Sequence, residues 1–226
     1  TPARQVCDLS RWEGDEYSLE VTGIVEESQL FGDKIRLTRT LSTRIGSQSL
    51  TIRDFAENFG YQTAPFHILY HVNAGFPLLD ACSRLVLSPC ESEACDAHSA
   101  AGMGQMRAFT APIPGFAEEN FLHHMRPGSD GWATAAMVNP ELEGGLALYV
   151  RFDARTLPLL NEWKMMGQGD YVVGIEPCNA PCENRAILRE QGRLPFLEPG
   201  ETREMTLEIG VLQGAAEIER LVKQMA

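Results

Sequence analysis

No apolar run in the 226 residues approaches the roughly 20 needed to cross a bilayer, so a membrane-spanning helix is excluded as an organising element. Cations are scarce. Against 31 Asp and Glu stand 19 Lys and Arg, a net charge of −12, so no surplus of positive charge exists to hold nucleic acid or an anionic membrane. No signal peptide opens the chain, and the expected location is the cytoplasm. The first residues are Thr1 and Pro2 rather than Met, which reads as a processed or truncated product. Tight Cys-x-x-Cys pairs are missing too. Cys7, Cys82, Cys90, Cys95, Cys178 and Cys182 make no secreted disulfide framework in a chain this long. Neither Cys90, Cys95 and His98 nor Cys178 and Cys182 has the spacing of a zinc knuckle, so reduced thiols and no metal are expected. There is no internal repeat and no boundary signal. With 44% hydrophobic and 22% charged residues, one globular domain over 1–226 is expected.

What is present is mostly strand pattern. Tyr17–Glu26 alternates, with Tyr17, Leu19, Val21 and Val25 on one side, and Lys34–Thr43 and Ser47–Ile52 follow with Ile35, Leu37, Leu41, Leu50 and Ile52 inward. Phe31-Gly32-Asp33 marks the turn between the first two. Leu146–Asp153 and Met205–Val211 alternate likewise. Near the C-terminus Ile218, Leu221, Val222 and Met225 recur at helical spacing, predicting a short amphipathic helix packed on a sheet. Ser88–Met106, rich in Ala, Ser, Gly and Cys, reads as a long excursion, and Phe116–His124 as a short helical piece ending in His123 and His124. All-β pattern of this length favours a large antiparallel sandwich over a closed barrel.

Two stretches carry the candidate chemistry. In Gly169–Glu183, period two puts Tyr171, Val173 and Ile175 on one face and Val172, Gly174 and Glu176 on the other, so a carboxylate stands off an apolar strand. Gly174 leaves a gap in which a ligand could lie against the backbone, and Pro177 is expected to end the pairing. In Pro65–Leu79, Phe66, Ile68, Tyr70 and Val72 oppose His67, Leu69, His71 and Asn73. Glu176 alone fits an exposed edge residue, and His67 alone a structural histidine. Two imidazoles and an amide on one strand face, set against a carboxylate on another, fit a general acid–base pair.

Leu69–Asp80, LYHVNAGFPLLD, and Asn161–Asn179, NEWKMMGQGDYVVGIEPCN, resemble the galactose mutarotase-like superfamily, in its aldose 1-epimerase-like DUF4432 branch; the resemblance runs from the first strand to Val211. It implies a twisted antiparallel β-supersandwich with a sugar cleft, with His71 matching the family's general acid and Glu176 its general base, and no cofactor. Mutarotation needs a proton taken from the anomeric hydroxyl while the ring oxygen gains one, so a carboxylate and an imidazolium suffice, each contributing about 10²–10⁴-fold. Substrate-binding candidates are His67, Asn73, Trp163 and Lys164. Trp163 reads either as a platform for the sugar's CH face or as a core aromatic, and Lys164 either as a hydroxyl ligand or as a chain snorkelling to water.

The implied partner is a small-molecule sugar, with oligomeric state open. An anionic sugar would draw on Arg151, Lys164 and Arg185. Family members carry an N-terminal portion that supplies a further His and an Arg to the sugar site, and this chain has neither there. Three other readings compete. One is a non-catalytic carbohydrate-binding or sugar-sensing domain on the same fold, and another a purely structural interaction module. The last is a cupin-like metal site of His67, His71 and Glu176. Four residues of extended strand at roughly 3.3 Å each set the two histidines about 13 Å apart, too far to share one ion.

Overall fold

Alternating side chains in this sequence do become antiparallel strands. The structure, a computed structural model, describes residues 1–225, and its contacts divide the chain into two units.

The first unit comprises 1–67 and 183–209. It opens with β1 (Arg4–Asp8), β2 (Arg11–Glu13), β3 (Glu16–Ser28), β4 (Lys34–Arg44), β5 (Ser49–Asn58) and β6 (Ala64–Pro65). The β3–β4 turn falls where Phe31-Gly32-Asp33 predicts it, with Gly32 N–H donating to Gln29 C=O at 3.2 Å. Arg36 ties the ladder across strands, reaching Glu26 on β3 at 2.8 Å and Glu57 on β5 at 3.0 Å. Arg39 grips the fully buried Asp54 of β5 with both arms of its guanidinium, at 2.9 and 2.6 Å.

The second unit, 68–182 with 210–226, carries β7 (Val72–Gly75), β8 (Arg84–Leu87), β9 (Cys90–Ala94), α1 (Ala97–Gly102), β10 (Glu119–Met125), β11 (Trp132–Asn139), β12 (Leu146–Asp153), β13 (Leu159–Met166) and β14 (Tyr171–Cys178). The chain then returns to the first unit for α2 (Arg185–Glu190), β15 (Phe196–Leu197) and the start of β16 (Thr202–Gln213). It closes with α3 (Ala215–Met225), the helix expected from its spacing. Ile218, Leu221 and Val222 press that helix onto Ala136, Val138 and Ala147 of β11 and β12. Five strands in the order β7-β14-β13-β10-β9 form the sheet that carries Glu176.

Three expectations fail here, each for a backbone reason. Phe116–His124 is not helical: Glu119–Met125 is β10, paired on both sides with β9 and β13, and two ladders outweigh a local helical pattern. Ser88–Met106 is no mere excursion, since it supplies the edge strand β9 and then α1, which Asp96 caps by accepting from Ser99 N–H. Pro65–Leu79 is not one strand either. Pro65 ends β6, and after it regular pairing resumes only over Val72–Gly75, with Leu69 making an isolated bridge to Cys178.

Pro177 explains that last break and corrects its own forecast. Pairing with β13 continues past it, through Leu160 opposite Pro177 and Leu159 opposite Cys178. In an antiparallel strand a residue turns its N–H and C=O toward the same neighbour. The Pro177 carbonyl accepts from Tyr70 N–H at 3.0 Å, so its missing donor also falls on that side. The β13 ladder loses nothing, and the segment before β7 loses a rung.

Candidate functional site

Cross-strand register assembles the site within the second unit. Asn73 of β7, Gly174 of β14 and Trp163 of β13 stand in one row, and Glu176 and Asn161 stand opposite each other in the next but one. Residues directly opposite share a sheet face, so these five project to the same side.

Glu176 is the fixed member. Its side chain is 3% exposed while that of His71 is 47% exposed, and the two meet with His71 Nε2 at 2.9 Å from Glu176 Oε1. The other carboxylate oxygen accepts from Asn161 Nδ2 at 2.8 Å, and Asn161 is itself buried. The Asn161 amide is oriented in turn by Cys95, whose Sγ donates to Asn161 Oδ1 at 3.8 Å. Burial raises the Glu176 pKa above the usual carboxylate value, only partly offset by the Asn161 hydrogen bond and by His71. A carboxylate so placed is a stronger base than one in water.

Gly174 has a different use from the one expected. A Cβ there would overlap Glu176 Oε1 and crowd Trp163 Cβ, so the space above the glycine holds the Glu176 carboxylate, folded back along its own strand, rather than a ligand. Trp163 is half-buried, its ring edge-on to His71 with centroids 5.7 Å apart and its indole N–H donating to Glu118 Oε2 at 2.8 Å. It is neither a sealed core aromatic nor a free one. Asn73 is exposed beside it.

One sequence candidate falls outside this group. Lys164 follows Trp163 on β13 and therefore points to the opposite face, where its ammonium donates to Gln105 C=O at 3.0 Å and lies 3.4 Å from Glu119. It is 4% exposed, so it does not snorkel to water either. His67 and His71 both precede β7, so the strand face they were expected to share does not exist. Asn161, by contrast, was missed. Period two along Leu160–Met165 puts it on the same face as Trp163, but only the cross-strand register sets it opposite Glu176. Among the described residues no group of three or more His, Cys, Asp and Glu converges as for a metal.

The family model described as "Domain of unknown function (DUF4432)" matches residues 1–211. No curated protein matches. Among solved structures, the chain is similar to a candidate aldose 1-epimerase from Klebsiella pneumoniae subsp. pneumoniae at 25% identity and TM-score 0.88, covering 92% of this chain and 54% of that one. A galactose mutarotase-like protein from Clostridium acetobutylicum is similar at 14% identity and TM-score 0.60, covering 92% and 66%. A candidate aldose 1-epimerase from Escherichia coli K12 gives 14% identity and TM-score 0.55, covering 90% and 68%. The chain thus spans about half the length of the Klebsiella protein. The last two likenesses concern the fold alone, the large antiparallel sandwich expected from the strand pattern and, as a β-supersandwich, from the resemblance.

Proposed function

The chain belongs to the DUF4432 family and has a galactose mutarotase-like fold, and from that premise we propose that it binds a monosaccharide or a derivative and interconverts its anomers. The observation that carries this reading is the 2.9 Å approach of His71 to a buried, amide-anchored Glu176. Glu176 takes the proton of the anomeric hydroxyl, and His71, as imidazolium, gives one to the ring oxygen. The ring opens, the C1–C2 bond rotates, and closure with the roles exchanged yields the other anomer.

Exposure assigns the moving part. A sugar entering between acid and base must part the His71–Glu176 contact, and the half-exposed His71 can yield while the buried Glu176 cannot. Trp163 offers an apolar face to the ring and Asn73 an amide to its hydroxyls.

Polarimetry or NMR on freshly dissolved pure anomers tests the proposal. Accelerated exchange, lowered about 10²–10⁴-fold by Glu176→Gln and by His71→Asn, is the expected result. If no sugar exchanges faster while some sugar still raises the melting temperature, the chain is a sugar-binding domain and the catalytic reading falls.

A further inference from the structure

On the face of the sheet opposite Glu176, a second set of reactive groups is buried. β10 turns His123 inward with Phe121 and Met125, and β13 turns Glu162 inward with Leu160. His123 Nε2 lies 3.0 Å from Glu162 Oε2, both side chains being fully buried, and His123 Nδ1 lies 2.8 Å from Ser92 Oγ. Two residues along the edge strand β9, the Cys90 sulfur is 3.8 Å from the Ser92 hydroxyl and accepts from Arg107 Nη2 at 3.3 Å. The Ser92 hydroxyl thus links the Cys90 sulfur to the His123 imidazole.

A cluster serving only to pack would satisfy its polar atoms. This one does not. Glu162 Oε1 and Arg107 Nε are buried and meet no hydrogen-bond partner among the described residues, although each such atom ordinarily costs stability. The thiols of this unit also differ in kind. Cys82 donates its S–H to Asn139 and Cys95 donates to Asn161, while burial pushes the Cys178 thiol up to about 12. Cys90 instead accepts from a guanidinium and stays partly accessible at a sheet edge.

We propose that Cys90 is a modification site, a nucleophilic thiol activated by His123 and Arg107 that reacts with small electrophiles of the hydroperoxide class. The thiol proton passes by way of the Ser92 hydroxyl to His123. The sulfur attacks one peroxide oxygen, so that an S–O bond forms as the O–O bond breaks, and the departing alkoxide or hydroxide takes the proton back from the imidazolium. Thiol and hydroperoxide become sulfenic acid and alcohol or water, the sulfur oxidised and the peroxide reduced.

The groups facing Cys90 are Ser92 on its own strand, His123 from β10, and Arg107 from the chain after α1, with Glu162 and Lys164 of β13 behind them. Burial alone would raise the Cys90 pKa, but the hydrogen bonds from His123 and Ser92 and the two positive charges leave it lowered. His123 is raised for the reciprocal reason: burial opposes its charge, and Cys90 and Glu162 outweigh burial.

Iodoacetamide labelling of the whole folded chain between pH 6 and 9, with each cysteine peptide quantified by mass spectrometry, tests this. At pH 6.5 Cys90 should label about tenfold faster in the folded chain than in urea, with its midpoint shifted to lower pH, and hydrogen peroxide should yield a dimedone adduct at Cys90. Arg107→Met and His123→Gln should each slow the folded-state rate, with circular dichroism confirming the fold. The comparison with urea needs no variant. Labelling of Cys90 slower in the folded chain than in urea at every pH, or a rate untouched by Arg107→Met in a folded protein, overturns the proposal.

Discussion

Glu176 owes its character to what surrounds it. Burial lifts its pKa, Asn161 and His71 pull it partly back, and the net shift remains upward. A carboxyl that keeps its proton longer folded than unfolded adds stability below the unfolded value, and that stability is lost as pH rises through the window ending at the folded value. Wild type should therefore lose melting temperature relative to Glu176→Gln as pH rises from about 4.3, the ordinary Glu value, toward neutrality. Thermal melts of both proteins between pH 4 and 8 check this, and a constant difference would mean an unperturbed carboxyl. On the proposed mechanism the same variant should lose anomer exchange, so stability and activity would part company at one residue. Glu176 and His71 were legible because each interrupts an apolar pattern with a titratable group. Asn161 was not, since its importance lies in an alignment two strands wide.

Among the elements, the row Asn73–Gly174–Trp163 shows what register does. Gly174 reads in the sequence as room for a ligand, and in the sheet as room for a neighbour's carboxylate. Gly174→Ala should leave the strand paired but push Glu176 off its bond to Asn161, lowering kcat/KM by about 10²-fold with little change in KM. Steady-state kinetics on the variant measures it. Strands β3, β4 and β14 and the helix α3 could be read from period alone, because one face of each is consistently apolar. β10 could not. Its Asn-Phe-Leu-His-His-Met alternates only when His123 is taken as an inward residue, and a buried imidazole is intelligible only once Glu162 is known to lie across from it. Lys164 misled in the same way, for a cation on a strand is assumed to face water until its carbonyl and carboxylate partners appear.

Over the whole molecule the excess of acid dominates. With a net charge of −12 and an isoelectric point near 4.9, the folded chain repels itself at neutral pH. Raising sodium chloride from 20 to 500 mM should raise the melting temperature by a few degrees at pH 8, and the gain should shrink toward pH 5 as the net charge vanishes. Differential scanning fluorimetry across that grid reads it. A neutral sugar would bind almost independently of salt, whereas an anionic one would have to approach against this field.

The missing donor of Pro177 has a last consequence. A sheet is a fabric, and this one is woven tightly on the β13 side of Glu176 and left with a dropped stitch on the side of His71. The proposed base hangs from the firm selvedge and the proposed acid from the slack one. Whatever must make way for a ring closing upon the carboxylate has been sewn where the cloth can give.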